Sequence, residues 1–175
     1  MKPRSATPYR LFLVYLLLSF YCFGAAMMNE FVEYQSWADL GTYLSAGEFA
    51  SWHSLTSARA VPFLVLPMLA ATLVALSLLR FLPPAVPRWC LWVVLACHAL
   101  AWTSTLLYQL PLEMQLDRGA YSPTLMAELW RTDWLRKLAF LVEIPVVGYM
   151  AHRFFQQVTL LAETPAASPY AVQWH

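Results

Sequence analysis

The chain is poor in charge. Asp, Glu, Lys and Arg make up 12% of its 175 residues, where a soluble domain carries about 25%. With 60% hydrophobic residues and a mean hydropathy of +0.52, this deficit excludes an ordinary soluble domain and places the chain in the membrane class. Net charge is +1 and no basic stripe stands out, which excludes a nucleic-acid partner. Cysteine is scarce. Cys22, Cys90 and Cys97 all lie inside apolar runs, with no CxxC or Cys/His cluster to hold a metal through thiolates. They read as small buried hydrophobes. No cysteine pair staples the segments between the runs, which argues against a tight-junction-type four-span protein. No internal repeat is present, which argues against a transporter unless the chain oligomerises.

What is there is apolar length. Four runs stand out: Leu11 to Met28, Ala60 to Leu79, Trp89 to Leu110, and Leu138 to Met150 with its flanks. The expected spans are about 9–29, 58–80, 89–110 and 136–156. Each should be helical, because backbone facing lipid must satisfy its own hydrogen bonds. The expected fold is all-α: a polytopic, four-transmembrane-helix bundle with amphipathic outer-loop helices, one domain over 1–158 and a flexible tail at 159–175. Lys2, Arg4, Arg10 and Gly24-Ala25-Ala26 would also suit a signal peptide; we read the first run as a retained helix. Basic residues set orientation. Arg80, Arg88 and Arg153 join the N-terminal group, whereas most acids lie in the other two loops. Both termini are therefore expected in the cytoplasm, in a membrane read as a bacterial inner membrane.

The outer segments are rich in aromatic residues. Tyr34, Trp37, Tyr43, Phe49 and Trp52 fall in the first, and Leu125, Leu129, Trp130 and Trp134 recur at helical spacing in the second. They read either as an aromatic belt at the headgroups or as a cap over the bundle.

His98 interrupts the third run. Positions four, seven and eleven further on share its helical face. Those are Trp102, Thr105 and Gln109, a polar stripe over the outer half of the helix that should face the bundle. Glu143 lies at comparable depth on the fourth run, with Arg136 on the same face, so His98 and Glu143 should meet. Glu30 and Glu33 end the first helix at i, i+3 spacing. His53 and Arg59 flank the start of the second, where Pro62 and Pro67 can kink it.

Three chemistries fit these groups. Glu30, Glu33, His53 and His98 are candidate ligands for a transition metal, iron or copper, although the Glu-x-x-His motif of ferritin-like sites is absent. Alternatively His98 and Glu143 form an acid–base pair. Arg59 and Arg136 would then hold an anionic or carbonyl group, and Trp102, Thr105 and Gln109 would line the site. In the third reading the polar groups only tie helices together.

The stretches "GAAMMNEFVEY", "WHSLTSARAVPF", "TSTLLYQLPLEMQL" and "LWRTDWLRK" resemble the anthrone-oxygenase-like group of small four-helix membrane proteins, over roughly residues 20–155. The resemblance implies oxidation of a hydrophobic aromatic or polyketide-like molecule with dioxygen. It nominates Glu30, Trp52, His53, Gln109 and Arg136 as lining the pocket. Two other classes stay open on the residues alone. One is an accessory subunit of a respiratory or photosynthetic complex. The other is a haem- or quinone-binding electron carrier. Expected partners are the lipid bilayer, a hydrophobic aromatic or lipid-like small molecule, and a membrane-protein partner or a second copy.

Overall fold

The structure, a computed structural model, describes residues 6–163. Among them there are only helices and turns. Four long helices, α1 (Thr7–Leu40), α2 (Ala46–Phe81), α3 (Arg88–Asp117) and α4 (Pro123–Glu163), form the molecule. All four are long and apolar enough to cross a membrane. At 1.5 Å per residue they run roughly 45–60 Å, well beyond the ~30 Å hydrocarbon layer. The outer amphipathic helices expected from the sequence are present, but each is fused to a span. The tail expected at 159–175 lies outside the described residues from 164 onward; before that, α4 continues to Glu163.

Fusion is possible because little stops α1 and α3 at the membrane edge. Each passes instead through one π-helical turn, Asn29–Glu33 in α1 and Thr105–Gln109 in α3. There Tyr34 N–H donates to Asn29 O, and Leu110 N–H to Thr105 O, five residues back rather than four. Such a turn is an α-helix carrying one extra residue, a form frequent at functional sites. In α3 the buried positions Val94, Cys97, Ala101 and Ser104 keep the three-four rhythm. They then skip five to Gln109 before Leu112 and Leu116 resume it. Pro111 sits just past this turn, where the i→i−4 ladder is already interrupted and its missing N–H costs little.

The helices pair around a ring. α1 packs on α2 and α3 on α4 most extensively; α2 meets α3, and α1 meets α4. Chain direction alternates, so the start of α1, the end of α4 and the loop 82–87 share one end. The short loops 41–45 and 118–122 close the far end. Ser45 starts α2 with a capping box: its hydroxyl accepts from Glu48 N–H, and the Glu48 carboxylate accepts from Ser45 N–H at 3.0 Å. The two far loops interlock at Gly41, where a Cβ would fall 2.0 Å from the Tyr121 ring. The Tyr121 hydroxyl donates to Ala38 O at 3.0 Å.

Apolar packing concentrates at the two ends. Near the termini, Phe12, Tyr15, Leu78, Leu91, Met150 and Phe154 form one core. At the far end Tyr34, Trp37, Phe49, Leu116 and Leu129 form another. The cap and the aromatic-belt readings thus divide by residue: Phe49 is buried in the cap, whereas Tyr43 and Trp134 face outward. Between the two cores lies a polar layer.

Candidate functional site

The polar layer has three levels. At the deepest, His98 on α3 and Glu143 on α4 meet as their depths require, Nε2 to Oε1 at 3.2 Å, both about 5% exposed. The contact has ion-pair distance without hydrogen-bond alignment. Tyr15 from α1 donates to the same Glu143 oxygen at 2.9 Å. From α2, Thr72 Oγ1 contacts His98 Nδ1 at 2.7 Å and accepts from Trp102 Nε1 at 3.0 Å. The Thr72 hydroxyl proton goes to Met68 O at 2.8 Å, which makes His98 Nδ1–H the donor to Thr72. His98 Nε2 then faces Glu143.

The middle level is an ionic network. Arg136 forms an ion pair with Asp133, which is 4% exposed, and donates to the Tyr34 hydroxyl at 2.6 Å. Lys137 pairs with Glu30 Oε1 at 2.6 Å and approaches Asp133 at 3.8 Å. Glu30 Oε2 is buried with no partner. Gln109 is fully buried; its amide donates to Thr132 Oγ1 at 3.0 Å and its oxygen accepts from Tyr34 at 3.3 Å. The two π turns thus deliver Tyr34 and Gln109 to each other.

The top level is the cap. His53 is fully buried, Nδ1 to Asp117 Oδ1 at 2.7 Å, with its ring edge-on to Trp37 at 4.4 Å between centroids.

Two cavities open onto the middle level. One of about 80 Å³ is bounded by Cys22, Glu30, Thr105, Asp133, Arg136 and Lys137. The other, about 130 Å³, is bounded by Glu33, Trp37, Trp102, Thr105, Glu113 and Arg136. They share Asn29, Leu64, Met68, Thr105 and Arg136. His98 and Glu143 line neither; Trp102 and Thr72 connect them to the larger cavity.

The expected stripe on α3 is therefore divided. Trp102 and Thr105 face a cavity, whereas the extra residue of the π turn carries Gln109 into the network. Among the expected metal ligands, Glu30, Glu33, His53 and His98 are not gathered. The α2 neighbour of His98 is Thr72, so His53, nineteen positions earlier on that helix, lies about 28 Å further up the bundle. Among the described residues no three His, Cys, Asp or Glu side chains are placed to share an ion. Arg59 is exposed and lines neither cavity; six positions from His53 turn it about 120° off that residue's face. Trp52, nominated by the resemblance, packs on Phe49 in the cap at 5.9 Å.

The structure adds Tyr15, Thr72, Tyr34, Thr132, Asp133 and Lys137 to the site. Asp133, Arg136 and Lys137 carry a sequence signal, an i, i+3, i+4 run of opposite charges. A single Thr or Tyr in an apolar run carries none. No family model, curated protein or solved structure matches the chain.

One feature of α2 is a direct consequence of proline. Pro67 has no N–H for the carbonyl four residues back, that of Phe63. The Tyr21 hydroxyl supplies the donor, reaching Phe63 O from α1 at 3.1 Å. Tyr21→Phe is expected to lower stability by about 1 kcal/mol, read as an earlier unfolding midpoint in detergent; an unchanged midpoint would mean that water replaces the hydroxyl at no cost.

Proposed function

We propose that the chain is a small integral membrane oxidoreductase, oxygenase-like, that acts on a hydrophobic aromatic molecule held in the paired cavities. The observation that carries this reading is Glu30. One of its oxygens is held by Lys137, and the other is buried and unpartnered. A carboxylate oxygen so placed can accept a proton from a phenol or enol, and Lys137, released as Glu30 becomes neutral, can then balance the oxyanion. His98 and Glu143, reached through Trp102 and Thr72, serve as the proton store behind the cavity. Reaction of the resulting electron-rich ring with dioxygen is the part of the reading that rests on the resemblance. No step is routed through iron or copper, because the donors that would hold a metal are dispersed over three levels. The distribution of basic residues supports cytoplasmic termini and cavities on the outer face of a bacterial inner membrane.

The test is oxygen uptake by the purified protein in mild detergent, offered a panel of phenolic and enolic aromatics. At least one should support uptake, and Glu30→Gln should reduce it by at least about a hundredfold, the size of a general-base effect. Full uptake in Glu30→Gln would remove Glu30 from the chemistry. Haem ligation is disfavoured by geometry: both ring nitrogens of His98 face protein groups, and His53 is in the cap.

A further inference from the structure

A third concavity lies on the outside of the bundle, between α1 and α2. It is a groove of about 560 Å³ whose walls include Phe20, Tyr21, Gly24, Met28 and Phe63. Phe20, Met28 and Phe63 are 51%, 60% and 66% exposed, so the groove faces the hydrocarbon. It adjoins the interior cavities. It shares Asn29, Glu33, Ala60 and Leu64 with the 130 Å³ cavity, and Ala25, Asn29 and Leu64 with the smaller one. Where the groove meets the two cavities the side chains are small, Ala25 and Ala60, and the Tyr21–Phe63 bond holds the two helices together alongside.

The interior end has a defined chemistry. Trp37 is 5% exposed, lines the larger cavity, and its Nε1–H has no partner. The Arg136 guanidinium and the Glu113 carboxylate line the same space. This set suits a hydroxyl, which accepts from Trp37 or Arg136 while donating to Glu113. It does not suit a ligand that enters already charged. The cation there, Arg136, is already matched by Asp133, so a phosphate or carboxylate would be buried without a counter-charge. At about 130 Å³ the space is close to a cavity of about 150 Å³ known to hold benzene. It therefore fits one six-membered ring.

We propose that the ligand is a single-ring phenol with a lipophilic tail, and that it enters sideways from the bilayer through the α1–α2 groove. The ring occupies the 130 Å³ cavity with its hydroxyl between Trp37 and Arg136, the residue that also lines the cavity of Glu30, and the tail remains in the groove. This rests on the assignment of the paired cavities as the ligand site and adds the ligand's class and route.

The experiment uses the full chain in phosphatidylcholine nanodiscs, with para-cresol and para-octylphenol as probes and tryptophan fluorescence as the readout. Gly24→Leu is the main variant; a Cβ there meets nothing within 4 Å, so the added side chain fills the groove without disturbing the fold. Wild type should bind both probes, octylphenol more tightly. Gly24→Leu should weaken octylphenol on the order of tenfold, about 1.4 kcal/mol, and leave cresol unchanged. Trp37→Phe, which removes the N–H donor together with part of the ring, should weaken both probes. Octylphenol keeping its full advantage in Gly24→Leu would overturn the sideways route and leave the cavity assignment standing. Cresol failing to bind wild type would overturn both.

Discussion

Arg136→Met should cost about 3–5 kcal/mol, the penalty for removing one partner of a buried ion pair. Asp133, 4% exposed, would be left with only Lys137 at 3.8 Å, and the Tyr34 hydroxyl would lose its donor from α4. The lower end of the range is expected, because Lys137 swings easily toward Asp133. The measurement is the unfolding midpoint in detergent. Arg136→Met with Asp133→Asn should recover most of the loss, since no uncompensated charge then remains. A single variant within about 1 kcal/mol of wild type would mean that water reaches Asp133 and screens it.

His98 and Glu143 should behave in the opposite way. Glu143→Leu alone should destabilise by about 3 kcal/mol, because it strands the Tyr15 hydroxyl and leaves His98 facing an apolar side chain. Replacing both, as His98→Leu with Glu143→Leu, should return stability to the wild-type level or above it, as apolar replacement of buried ion pairs often does. The same double variant should be inactive in the oxygen-uptake assay. Wild-type stability with lost activity would identify the pair as present for its proton. Restored stability with full activity would make it a helix tie and no more.

These two networks differ in how far the sequence disclosed them. The meeting of His98 and Glu143 was readable because depth in a membrane helix can be counted from its end, and both are polar at a depth where polarity is costly. The four spans were readable for the same reason. Thr72 and Tyr15 were not, since each is a single mildly polar residue in an apolar run with no periodic companion. The cap was legible as aromatic content but not as geometry. Its helices continue the spans, and a π turn leaves no glycine or proline to mark it. Gln109 is legible as a polar residue of α3, but its departure from Trp102 and Thr105 toward partners on α1 and α4 depends on a skipped position in the burial rhythm that composition does not reveal. The metal set failed to gather because proximity along the chain to "one end of the bundle" covers some 28 Å of helix, far more than an ion can span.

The two π turns also constrain how the chain can change in length. Each is a single surplus residue, and removing it would convert its turn to ordinary α-helix without rotating the faces on either side. Deleting Leu107 alone would draw Leu110–Asp117 down by one rung, about 1.5 Å, past neighbours that had not moved. Gln109 would then miss Tyr34, and Asp117 would miss His53. Deleting Phe31 as well would draw Tyr34–Leu40 down by the same rung and restore Tyr34 to Gln109. The surplus residues work as a matched pair of shims, so single-residue deletions in the two outer extensions should be tolerated better together than apart.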